Sequence, residues 1–360
     1  MSKPTIKFGE RLAERTTLNV GGPARELIEV GTTDALVAAL AYARESDQAL
    51  FVLGGGSNVV IADAGFEGLV ICPRMSEMTV LSRTDAAVRV RVEAGCNWDD
   101  VVGWAVDEGL SGIECLSGIP GLSGAAPIQN IGAYGQEICE TLAVVEVVER
   151  ATGMVSQLAA KDCGLAYRHS HFKNGWRDRY VVVAVELVLR PGKPERPRYA
   201  ELAKRVGTDA DVVAIRDAVI DLRRGKSMIY DVQDPNHRSV GSFFVNPTLD
   251  KAGLDALHIS AKQAGISTDA MPCFAVPVAD GEEPRFKLSA AWLIERAGFS
   301  RGLVDGAAGL SSNHCLAVIN RDAASADDIV RLALKIQKRV QEIYSVGLVP
   351  EPRFVGLKAI

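Results

Sequence analysis

A chain of 360 residues, 48% apolar and 24% charged, can build two or three separate cores. Its net charge of −5 leaves no basic footprint for nucleic acid or an anionic membrane, so an anionic ligand would need a local cationic pocket. The seven cysteines (Cys72, Cys96, Cys115, Cys139, Cys163, Cys273 and Cys315) include no C-x-x-C pair and read as small buried hydrophobes, not as a disulfide framework or a zinc site.

Met1 to Thr17 mixes charges with few apolar residues and does not read as a signal peptide. Thr33 to Glu45 predicts a helix with a Thr N-cap and apolar residues at Leu36, Val37, Leu40 and Ala41. Ala49 to Leu53 predicts a strand running into Gly54-Gly55-Gly56-Ser57-Asn58, and the β-branched Val59-Val60-Ile61 a second strand. Val88, Val90 and Val92 alternate with arginines, the pattern of a half-buried strand. Asn97 caps a helix with Asp100 at the capping-box position and Trp98, Val101, Val102 and Ala105 on one face; Gly109 ends it. Leu142–Glu149 and Met154–Ala159 predict a hairpin, and Tyr180–Leu189 the strongest strand. Its run Val181–Val185 is too short to span a bilayer. A Pro-rich connector, Pro191 to Pro197, leads to a helix over Asp211–Arg224, a loop over Asp231–Arg238, and amphipathic helices over Leu288–Ala297 and Ser325–Tyr344. The order is that of an α+β protein, with a boundary near residues 190–225.

Two glycine-rich segments stand out. Backbone N–H groups approach an anion closely only where no Cβ intervenes. Gly54 to Asn58 leads into a strand rather than a helix, so it is no dinucleotide fingerprint, and no Gly-Lys-Ser/Thr exists for a Walker loop. Alone, it could be a simple turn. The second segment runs Ser117-Gly118-Ile119-Pro120-Gly121, then Gly124-Ala125-Ala126-Pro127-Ile128-Gln129-Asn130-Ile131-Gly132-Ala133-Tyr134-Gly135. Small and uncharged, it suggests backbone wrapped around a large, polar, planar ligand.

Together these segments closely resemble the UDP-N-acetylenolpyruvoylglucosamine reductase (MurB) family, from Thr17-Leu18-Asn19-Val20-Gly21-Gly22 to Glu351-Pro352-Arg353-Phe354. The resemblance implies a two-lobed FAD-binding domain of the vanillyl-alcohol-oxidase (PCMH) type over 17–189. It further implies a connector at 190–225 carrying a substrate tyrosine loop, a C-terminal α/β substrate-binding domain at 226–345, and a tail at 346–360 returning to the active site. FAD, bound without a covalent link, would be held by Gly54, Gly55, Gly56, Ser57 and Asn58. The second group of FAD residues is Ser117, Gly118, Ile119, Pro120, Gly121, Gly124, Ala125, Gln129, Asn130 and Gly132. NADPH would supply hydride to a UDP-sugar enolpyruvyl ether in a cytoplasmic monomer that binds neither nucleic acid nor membrane.

Such a reaction builds negative charge on the α-carbon and its carboxylate, which calls for a cation and an acid. Tyr167-Arg168-His169-Ser170-His171-Phe172-Lys173 matches the family's Tyr-Arg-x-Ser-x-Phe-Lys, which makes Arg168 the enolate stabiliser and Tyr167 a substrate contact. Gly241-Ser242-Phe243-Phe244 makes Ser242 the proton donor, and Pro350-Glu351-Pro352-Arg353-Phe354 makes Glu351 the catalytic glutamate. Without those motifs the three would read as a surface arginine, a turn hydroxyl and a solvated tail residue. Tyr199, Lys226, Asn246 and His314 are further substrate candidates, although Ser311-Ser312-Asn313-His314-Cys315 departs from the family's usual residues. His169 and His171 have no third ligand nearby and read as ordinary polar residues; no metal is expected. The rival readings are another FAD enzyme on the same scaffold and a non-catalytic nucleotide-sugar or flavin-binding protein.

Overall fold

The computed structural model describes residues 5–276 and 283–358; residues 1–4 of the Met1–Thr17 stretch and 359–360 of the tail lie outside. The chain divides into two compact units: residues 1–11, 23–56 and 66–230 form the first, and 12–22, 57–65 and 231–360 the second.

In the first unit, Ile6–Arg11, Pro23–Val30, Phe66–Pro73 and Leu50–Val52 form a four-stranded sheet in that order, its last two pairings parallel. Helix α1, Thr33–Glu45, is capped by Thr32 and buries Leu36, Ala39, Leu40 and Ala43 with Ile28, Val30, Leu69 and Ile71. An antiparallel sheet follows in the order Val155–Ala159, Leu142–Glu149, Tyr180–Pro191, Val88–Glu93, Met78–Arg83. Its central strand, Tyr180–Pro191, is apolar without alternation because both faces are covered. Val181 and Val183 join the α1 core, while Val182, Val185, Leu187 and Leu189 join the core under helix α2, Trp98–Asp107. Asn97 caps α2 by accepting the Asp99 and Asp100 N–H groups. Beyond the connector, helices α3, Ala200–Val206, and α4, Val212–Arg224, pack through Leu202, Ile215, Ala218 and Val219 around Cys115.

The second unit carries helices α5, Lys251–Gln263, α6, Ala290–Arg296, and α7, Ala326–Tyr344. Helix α7 buries Ile329, Leu332, Ala333, Ile336, Val340 and Ile343 at helical spacing, and Ser325 and Asp328 form its capping box. Leu288, expected in a helix, instead ends strand Arg285–Leu288: it pairs with Cys273, and its N–H donates to the Pro247 carbonyl. Helix α6 starts only after Ser289, whose hydroxyl caps it. Two early excursions complete this unit. Gly22 donates its N–H to the Ala62 carbonyl at 2.9 Å, and a Cβ there would meet the Asp63 carbonyl oxygen at 2.1 Å. Val59–Ile61 pairs in parallel with Arg353–Val355, so the tail closes on the strand after the first glycine segment.

All seven cysteines are free; five are buried as expected, but Cys139 is half-buried and Cys273 lies exposed on an edge strand. Among the described residues, no helix is long and apolar enough to cross a membrane.

Asn320 ties the first excursion down. It is 2% exposed, donates to the Leu18 and Asn19 carbonyls at 3.2 Å each, and accepts the Ala324 N–H at 3.0 Å. Asn320→Ala strands two buried backbone groups, with the Asn19 carbonyl a more exposed third, and should cost about 1–3 kcal/mol. Thermal unfolding checks this; an unchanged midpoint contradicts it.

Candidate active site

Strand Leu50–Val52 delivers the first glycine segment against the second. A Cβ on Gly55 would lie 2.9 Å from the Gly121 Cα and 3.3 Å from its carbonyl carbon, so the two backbones touch only because position 55 has no side chain. Gly121 itself has φ +117. On one side the second segment is stitched to the start of α2: Trp98 N–H donates to the Gly121 carbonyl at 3.0 Å and Ser123 N–H to the Cys96 carbonyl at 2.9 Å. Its other side carries free donors. Among the described residues, nothing accepts from the N–H groups of Gly54, Gly55, Gly56, Gly121 or Leu122. Converging unpaired amides with no Cβ between them make a cradle for an anion.

Arg168 occupies a tight turn closed by mutual hydrogen bonds between Ala166 and His169, at φ +53, a region glycine favours. Its guanidinium donates to the Gly132 carbonyl at 2.8 Å and the Asn130 carbonyl at 3.4 Å, and lies 5.5 Å from the Tyr167 ring centre. A non-glycine residue held at positive φ is a local strain that the surroundings must enforce. Buried Ser170 contributes to this by donating to the Ile128 carbonyl and accepting the Lys173 N–H. The Asn130 side chain is fully buried and engaged internally: it donates to Glu137 at 2.6 Å and the Ala166 carbonyl at 3.0 Å, and accepts the Cys139 N–H. Its value to a ligand is therefore through backbone. His169 sits 3.0 Å from the Gly164 carbonyl and His171 packs on Trp176, which are ordinary structural roles.

A cluster of aromatic and charged side chains lies at the connector. The Tyr199 ring meets Tyr134 edge-on at 5.4 Å, Lys226 lies 5.9 Å from the Tyr134 ring centre, and Lys226 pairs with Glu201 at 3.0 Å. Burial lowers the Arg223 guanidinium to about 10, still charged at neutral pH. Its Nη2 donates to the Met228 carbonyl, while its buried Nε–H donates to nothing among the described residues. Burial raises the Tyr134 phenol, and Arg223 and Lys226 pull against that rise. Tyr134 and Arg223 were not singled out from the sequence. Their signals were a tyrosine directly before a glycine, at φ +50, and a basic run at a helix end.

In the second unit, Gly241 turns at φ +71 into Ser242, whose hydroxyl pairs with nothing among the described residues. Phe243 N–H donates to the Leu316 carbonyl, and the Glu351 N–H donates to the Phe243 carbonyl at 2.8 Å. The tail thus lies one residue from Ser242 across the pairing. Asn58 donates to the Glu351 carbonyl at 3.3 Å and accepts the Arg353 N–H at 3.0 Å, so Ser57 and Asn58 belong with Glu351 rather than with the three glycines before them. Asn246 accepts the Ala290 N–H at 2.9 Å. His314 is half-buried in a loop whose Ser312 is clasped by Asn236.

Residues 24–159 match an FAD binding domain, and 233–355 match the C-terminal domain of UDP-N-acetylenolpyruvoylglucosamine reductase. A reductase of that name from Thermobifida fusca is 46% identical over 351 residues, covering 96% of this chain and 97% of the relative. The chain belongs to the UDP-N-acetylenolpyruvoylglucosamine reductase family. A second member, from Saccharopolyspora erythraea, is 44% identical over 96% of this chain and 95% of its own. The crystal structure of the family's enzyme from Thermus caldophilus overlays with a TM-score of 0.64 at 26% identity, covering 99% of this chain and all of that one. The expected pairing of an FAD-binding domain with the family's C-terminal domain is borne out, and the cofactor is FAD. An FAD pyrophosphate needs what the glycine backbones offer: several amide donors and no side chain in the way.

Gly55→Ala forces the two backbones apart, and overpacking of this kind costs about 1–3 kcal/mol. The variant should retain FAD at least ~10-fold more weakly. The ratio of flavin to protein absorbance after purification checks this; an undiminished ratio contradicts it.

Proposed function

We propose that this chain reduces the enolpyruvyl group of UDP-N-acetylenolpyruvoylglucosamine to the lactyl ether of UDP-N-acetylmuramate, oxidising NADPH, in peptidoglycan precursor synthesis. Similarity over nearly the whole length to reductases of this name carries the reading. Both small-molecule substrates are cytoplasmic, which puts the reaction there.

FAD, which the backbones of Gly54 to Gly56 and Ser117 to Leu122 would hold, would supply hydride chemistry, accepting hydride from NADPH and donating it at the enolpyruvyl β-carbon. The α-carbon and carboxylate then gain charge, and Arg168 is the cation assigned to them. Because carbonyls of residues 130 and 132 already hold its guanidinium, little reorganisation is left to the moment of reaction. Ser242 gives a proton to the α-carbon, so one hydride and one proton turn CH₂=C into CH₃–CH while NADPH becomes NADP⁺. Its hydroxyl, without a partner among the described residues, supports this role. Glu351 orients that hydroxyl through a hydrogen bond or assists enolate stabilisation. Tyr199 and Lys226, with Arg223 behind them, suit the UDP diphosphate; Tyr167, Asn246 and His314 complete the assigned substrate contacts. Retention of Arg168, Ser242 and Glu351 argues against a binding protein that has lost catalysis.

Ser242→Ala should keep its FAD spectrum and its flavin reduction by NADPH, since neither uses that hydroxyl. Reoxidation of pre-reduced enzyme by the enolpyruvyl sugar should slow at least ~10²-fold, the scale of a lost general acid. Rapid mixing at the flavin band reads this, and parent-like reoxidation would return Ser242 to a turn residue.

A further inference from the structure

The second glycine segment is gripped from behind by an ion pair that none of the assigned roles uses. Asp99, in the first turn of α2, accepts the Gly118 N–H at 2.6 Å on the same carboxylate oxygen that takes Arg216 Nη1 at 2.7 Å; its other oxygen takes Nη2 at 3.0 Å. This is a two-pronged arginine–carboxylate contact with a backbone amide as its third member. Gly118 sits at φ +68, three residues before Gly121.

Both helices are shaped around this contact. Gly103, one turn on from Asp99, interrupts α2 at about 1 kcal/mol against alanine. A Cβ there would already touch Arg216 Nη2 at 3.6 Å, so a longer side chain would run into the guanidinium. Seven residues along α4, on the same face, Arg223 brings Nε to within 3.3 Å of a Cβ at Gly118. Gly118 is thus held by Asp99 at its N–H and confined by Arg223 at its Cα. Burial works against the Asp99 carboxylate, but Arg216 and the Gly118 N–H outweigh it and leave its pKa below the usual range.

At 33% and 22% side-chain exposure, such a pair contributes little to overall stability. Its geometry matters more. We propose that Asp99, oriented by Arg216, is a positioning residue for the cofactor, holding the Gly118 turn so that the free Gly121 and Leu122 amides stand ready for the FAD pyrophosphate. The inference rests on the assignment of the glycine segments to FAD.

Parent and variants are stripped of flavin and titrated with FAD, following the change in flavin fluorescence, at a temperature where each apoprotein is folded. Asp99→Ala should raise the FAD Kd at least ~10-fold, the scale of losing charge-assisted bonds. Asp99→Asn should fall between it and the parent, because its amide oxygen still accepts from Gly118. Arg216→Lys should also weaken FAD, since an ammonium cannot make the two-pronged contact. A purely structural pair would lower the apoprotein melting temperature and leave the Kd of folded protein alone. Parent-like FAD affinity in folded Asp99→Ala overturns the proposal, and so does parent-like affinity in Arg216→Lys should Asp99→Ala not fold. A parent that takes up no FAD would instead sink the assignment of the glycine segments.

Discussion

The first unit's site depends on two backbones meeting with no side chain between them. Gly55 and Gly121 approach to a distance that a single methyl would fill, and amides with no partner among the described residues gather around that point. Amides that converge without an internal acceptor suit an anionic ligand. The rest of the unit serves this approach. Leu50–Val52 fixes one backbone in a sheet, the start of α2 fixes the other, and Gly124 lies flat on Ala94 because a Cβ would come within 2.5 Å of the alanine methyl.

The same backbone also aims the chemistry. The carbonyls of Asn130 and Gly132 point back at Arg168, so the segment assigned to the cofactor is the one that holds the cation assigned to the enolate. In the second unit the pattern repeats with different parts: Asn58, at the end of the first glycine run, holds the backbone of Glu351, whose N–H bonds the residue after Ser242. Both assigned residues are thus anchored to backbone: Arg168 through its guanidinium to two carbonyls, and Glu351 through its own carbonyl and N–H.

Local elements were legible because they follow local rules. Helix α1 with its Thr cap, α2 with Asn97, the Leu142–Ala159 hairpin and the Ser325 capping box all stand where periodicity and caps put them. Residues 12–22 and 57–65 were not assignable to the second unit, because their tie is through distant partners such as Asn320 and Val355 that no local pattern encodes. Helix α5 was missed because its apolar face, Leu254, Leu257 and Ala261, is narrow. Of the site, motifs named the residues assigned to chemistry, whereas Ser170, Asp99 and Arg216, which bond the backbone around them or one another, are common residue types whose contacts exist only through long-range geometry.

The most direct test of the account follows the flavin through one turnover without oxygen. One equivalent of NADPH should bleach the yellow band of the purified protein, and one equivalent of the enolpyruvyl sugar should then restore it while the lactyl ether forms. A colourless protein that takes up no FAD, or a bleached band that the sugar leaves unchanged, would contradict the account.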